Sequence, residues 1–342
     1  MKGGIASLAL LLSALTTAVA APAPAKPAVT PVRNEISLLL ELHNMLQVAS
    51  RGPEDALPTY ALEVSAYKQA HEMAKDPAVW QIVNDACVLN KEIGGLREAK
   101  ANLPSTLQPA DREATLKILS ALESAWPRFE ANEMVDRNRS LQTVTVKTLR
   151  RLFNGGPVDR VFVTLQDKML LKPLDAPITI YPVIGAIEAG DWGMTPQGYY
   201  IVIPVRGRPA MILAENVIHE LTHLIDLNQP KGSVTMLTRL RQKSAGLDPA
   251  AVEGFLHGLV AWNAGEMIKR FLSPSHKAVV DLSPQTLQKM EPYLPVYETV
   301  WVPYLEGKTS ADQTVDAMIA AFKKIPPPKP PAPASPGPGK SS

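Results

Sequence analysis

Asn216-Val217-Ile218-His219-Glu220-Leu221-Thr222-His223-Leu224-Ile225-Asp226-Leu227 is the stretch on which the reading of this chain turns. Its apolar residues, Val217, Ile218, Leu221, Leu224 and Ile225, recur at helical spacing, so the segment predicts a helix with one buried side. His219 and His223 are four residues apart and therefore project from one face about one turn from each other, close enough for both imidazoles to reach one zinc ion at roughly 2.0–2.1 Å. Glu220 is offset by one residue, which suits a carboxylate that takes a proton from a zinc-bound water rather than binding the metal.

Working outward, the segments before this helix change character once. From 33 to 153 apolar positions recur at helical spacing, as in Ile36, Leu39, Leu40 and Leu46, and the stretch predicts a helical bundle. From 158 to 205 short β-branched and aromatic runs at 161–165, 178–187 and 199–205 predict three or four strands. Pro204 removes a ladder donor and points to an edge position for the last of these, where an extended peptide could add as a strand. The expected fold class is α+β, predominantly α: a helical domain at 33–156, then a half at 157–325 with a small mixed sheet and the histidine-bearing helix.

Both ends read differently. Lys2, an apolar run at 5–15 and Ala18-Val19-Ala20 form a signal-peptide pattern over 1–20 with cleavage expected after Ala20, which places the mature protein outside the cytoplasm, secreted or periplasmic. The run is shorter than the roughly 20 residues of a membrane span, and no stable span is expected after cleavage. A Pro/Ala-rich linker at 21–32 and a proline-rich tail at 326–342 have little to bury and are expected to be extended. Of the 342 residues, only Cys87 is a cysteine, so no internal disulfide and no thiolate zinc cage can form, and a metal must use histidine and carboxylate. The formal charge of +2 lacks the basic excess of a nucleic-acid binder.

His219-Glu220-x-x-His223, in a helix that follows strands, resembles the active-site helix of the zincin metallopeptidases over about residues 199–270. The resemblance implies zinc as cofactor, hydrolysis of peptide bonds in a peptide or protein substrate, and Glu220 as general base. Metzincins place glycine and a third histidine where this chain has Asp226 and Gln229, which excludes that subgroup. A glutamate on a later helix, as in gluzincins, is the other solution. Glu253, in Asp248-Pro249-Ala250-Ala251-Val252-Glu253-Gly254-Phe255, is the preferred third ligand because ligand glutamates enter near the start of their helix. Glu266, in Trp262-Asn263-Ala264-Gly265-Glu266, is the alternative; on one helix the two lie about 140° apart, so only one can face the metal. Asp226 shares the histidine face and suits an outer carboxylate. His257, one turn beyond Glu253, is the candidate catalytic donor to the oxyanion, with Tyr293, Tyr297 and Tyr304 as other donors. His43, His71 and His276 carry no motif. The competing class is a non-catalytic envelope binding protein with a structural or degenerate zincin-like half.

Overall fold

The computed structural model of the chain describes residues 32–326 apart from 54–56, 90–92, 185–190 and 206. The expected signal segment, the linker up to residue 31 and the tail from 327 lie outside the described residues. β1 (Val32–Asn34) opens the described chain, so the expected helical half begins with a strand. Helices α1 (Leu38–Arg51), α2 (Ala61–Met73), α3 (Ala78–Leu89), α4 (Gly94–Ala101), α5 (Pro109–Glu130), α6 (Glu133–Phe153) and α7 (Pro157–Met169) follow. Then come β2 (Ile178–Val183), β3 (Asp191–Thr195) and β4 (Gly198–Pro204). The remainder is helical: α8 (Ala210–Leu227), α9 (Met236–Lys243), α10 (Pro249–Phe271), α11 (Val279–Leu282), α12 (Pro284–Met290), α13 (Leu294–Val296), α14 (Val302–Leu305) and α15 (Ala311–Phe322). The fold is α+β and predominantly helical, with one small mixed sheet. No helix of the described residues is long and apolar enough to cross a membrane.

The sheet order is β1-β2-β4-β3, with β1, β2 and β4 parallel and β3 antiparallel to β4. Alternation along the strands gives each sheet face its own core. Ile178, Ile180, Ile201 and Ile203 pack with α7, α8 and α10, whereas Tyr181, Val183, Tyr200 and Val202 pack with α1, α2, α3 and α5. The sheet is thus the shared wall between the two halves. Glu41, buried in α1, fastens the wall to the bundle: it accepts from the Ile184 N–H at 2.6 Å and from Gln142 of α6 at 3.2 Å. A buried carboxylate persists when donors of this kind satisfy it.

Two expectations change. Residues 161–165 lie inside α7, because Val158, Val161, Phe162, Leu165 and Met169 form one buried helical stripe behind Pro157 at the first turn, and this longer period outweighs the short β-branched run. β4 lies between β2 and β3, not at an edge. Pro204 fits there because its partner on β2 is Val183 while β3 has already ended opposite Val202.

In the bundle, the fully buried His43 shares a 2.9 Å hydrogen bond with the Tyr67 hydroxyl. Burial, reinforced by His71 and Arg51, takes its pKa down to about 3. The unfolded chain then binds a proton that the folded one refuses, so stability falls as pH drops below the unfolded value near 6.5 and continues to fall until about 3. On this basis, moving from about pH 7 to about pH 4.5 costs on the order of 2–3 kcal/mol through His43. Urea unfolding at the two values should show that loss in the wild type and a correspondingly smaller one in His43→Gln.

Candidate metal centre

α8 is positioned by its apolar stripe: Leu213, Val217, Ile218, Leu221, Leu224 and Ile225 are buried in the core that lines the sheet face of Ile201 and Ile203. That burial turns His219 and His223 toward α10. α10 starts where Asp248 caps it, accepting from the Ala250 N–H at 3.1 Å, with Pro249 in the first turn, and it runs alongside α8. His257, two turns into α10, meets the α8 pair. Ring centroids are 4.7 Å apart for His219 and His223, 5.0 Å for His219 and His257, and 4.9 Å for His223 and His257. One ligand atom from each of the three falls within 4.8 Å of the others.

The electrostatics disfavour protonation of these rings. Burial, followed by the charges of His223 and His257, holds His219 well below the usual histidine range. Burial with His257 and Arg241 takes His223 down to about 4, and burial lowers His257 against the opposing pull of Glu253. Neutral imidazole is the form that binds metal. His223 Nε2 is buried and has no hydrogen-bond partner. Three imidazoles of lowered proton affinity with ligand atoms within 4.8 Å of one another, beside the unpaired His223 Nε2, form a group that could hold a metal ion. Glu220 is buried on the same helix.

The other sequence candidates lie elsewhere. Glu253 is an exposed partner of Arg241, whose Nε and Nη2 reach its two oxygens at 3.1 and 3.5 Å, and it is not among the converging residues. His257 takes the place expected for it, since both sit on one face of α10 and the guanidinium captures the glutamate. Glu266 pairs with Arg270 at 2.6 Å along its own helix. Asp226 accepts from Thr235 at 2.5 Å and from Arg241 at 3.2 Å. The Tyr297 hydroxyl donates to the Phe255 carbonyl at 2.5 Å and that of Tyr304 to the Lys168 carbonyl at 2.9 Å, so both tie backbone segments together. Tyr293 meets Phe255 edge-on and lies tilted against Phe322. His276 is bonded to the buried Glu215 at 2.7 Å, and His71 stacks on Trp80. His257, expected as an oxyanion donor, instead lies with the α8 pair as a candidate third metal ligand, a placement legible in the sequence only as a third imidazole within forty residues of the motif.

Gly258, next to His257, lets Tyr297 approach: a Cβ there would lie 2.7 Å from the Tyr297 hydroxyl. Tyr297 is fully buried and cannot swing away. Gly258→Ala is therefore expected to cost about 1–3 kcal/mol in unfolding free energy despite alanine's better helix propensity. Thermal or urea unfolding measures it. Comparisons with family models, curated proteins and solved structures each returned no match.

Proposed function

We propose that the chain is an exported, zinc-dependent peptidase of zincin type in which His219, His223 and His257 hold the metal and Glu220 is the general base. The observation that carries the reading is the convergence of three ligand nitrogens within 4.8 Å, on the helix bearing the motif and its neighbour. Catalytic zinc sites commonly use three protein ligands and leave one position open. Three neutral imidazoles would leave the ion's full charge undiminished, unlike the glutamate-containing set of gluzincins. Zinc in such a site polarises a carbonyl and brings the pKa of water to about 7.

The remaining work belongs to the chain. Glu220, one residue from His219, would take the proton of the attacking water and return it to the departing amine. The partly buried setting of His219 and His223 lowers their affinity for protons, while the exposed His257 leaves one side of the site open to water and substrate. An extended substrate would pair with the outer strand β3, which lies beside α8, in place of the interior β4. The signal pattern over 1–20 supports export.

The test is zinc stoichiometry together with cleavage of a peptide library. We expect about one zinc per chain and a defined cleavage profile absent from Glu220→Ala. Folded wild-type protein that takes up no zinc would sink the proposal.

A further inference from the structure

We infer that Arg241 is a positioning residue that locks the two helices of the histidine centre to each other through one guanidinium; the inference rests on the three-histidine reading above. Three elements meet at this side chain. Asp226 on α8 is three residues beyond His223, and its Oδ2 accepts from Arg241 Nη1 at 3.2 Å. Glu253 on α10 is four residues before His257, and its two oxygens face Arg241 Nε and Nη2 at 3.1 and 3.5 Å. Arg241 itself comes from the last turn of α9, between the two.

The geometry explains why arginine stands here. A planar guanidinium presents several donors in fixed directions, so it can hold two carboxylates on different helices at once, which a single ammonium does less well. Asp226 is held at a second point, because the α9 cap residue Thr235 donates to its Oδ1 at 2.5 Å. The side chain of Asp226 is only 3% exposed, so this end of the clamp is rigid, while Glu253 at 60% can adjust. α9 is anchored on its far side to α15 by Arg239 with Asp312 and by Lys243 with Asp316. The guanidinium therefore fixes how far α10 can slide or roll relative to α8. Since His223 and His257 sit one turn from the clamped carboxylates, their separation is set by it. This gives Glu253 a task at the centre without making it a ligand.

The experiment uses the full chain as wild type, Arg241→Met, Arg241→Lys and Glu253→Gln. Zinc affinity is measured by competition with a chromophoric chelator, cobalt(II) substitution reports coordination geometry in the visible spectrum, and urea unfolding of the metal-free proteins reports the fold. Loss of partners that orient ligands typically weakens metal binding about 10–100-fold, and we expect this for Arg241→Met and Glu253→Gln, with altered cobalt spectra. Arg241→Lys should recover part of the affinity. Glu253→Gln should leave metal-free unfolding nearly unchanged, because an exposed ion pair adds little to stability. Wild-type zinc affinity in both variants overturns the clamp. So does loss confined to Arg241→Met, which would make Arg241 a support for the buried Asp226 alone. Failure of the wild type to bind zinc instead removes the three-histidine reading itself, and the two failures are thus told apart.

Discussion

Glu220→Ala is expected to keep its zinc and lose hydrolysis by about 10²–10⁴-fold, the usual share of a positioned general base. The separation of the two effects follows from α8. Glu220 is offset by one residue from His219, so it turns about 100° around the helix from that ligand, and removing its carboxylate leaves all three imidazoles in place. Glu220→Gln sharpens the test, because the amide keeps the shape of the side chain and removes only its basicity. Zinc content by elemental analysis, paired with kcat/KM on a peptide found by library screening, gives both numbers. Parallel loss of metal and activity would place Glu220 among the ligands and contradict the assignment.

His257→Ala carries the second large effect. A zinc site yields roughly 10–16 kcal/mol in all, so deleting one of the protein ligands should weaken binding on the order of 10²–10³-fold. Glu266→Gln should bind as the wild type does, since Glu266 is occupied by Arg270. Glu253→Gln should fall between, through its hold on Arg241. The ranking is diagnostic: a larger loss in Glu253→Gln than in His257→Ala would restore the glutamate as ligand and remove the histidine. Acidification should release the metal as protons compete for the imidazoles. With His223 held down to about 4, that competition sets in at lower pH than an ordinary histidine would impose.

The sequence made part of this arrangement readable for a definite reason. His219 and His223 belong to one helix, so their relation is fixed by helical geometry alone and needs no knowledge of packing. His257 and Glu253 also share a face of one helix, yet periodicity cannot choose between them. On the proposed reading the choice is made by Arg241, which holds Glu253 from a third, eight-residue helix, and no local pattern announces that contact. The fold shows the same division. α8 is marked by its apolar spacing and α10 by Asp248 and Pro249 at its start, whereas residues 161–165 look extended because a five-residue window hides the thirteen-residue stripe of α7. β4 looks like an edge because Pro204 lacks a ladder donor, and its outer neighbour, Asp191–Thr195, contains Gly193 and has little strand character of its own. That strand gains its place by pairing across the turn at Pro196 and Gln197, and Gly193 is needed where Tyr200 and Gln81 crowd its Cβ position.

The pairing of Val32 with Ile178 joins residues far apart along the chain. Contacts among α1, α2, α3 and α5 are comparatively local and can form early, but closing the β1–β2 ladder requires a long loop to be brought together first, an entropic delay that slows folding. β3 and β4, by contrast, pair across a two-residue turn, and it is these two strands that α8 packs on. The histidine helix is therefore expected to gain its sheet support from the locally formed β3–β4 pair, with closure of β1 on β2 as the later step.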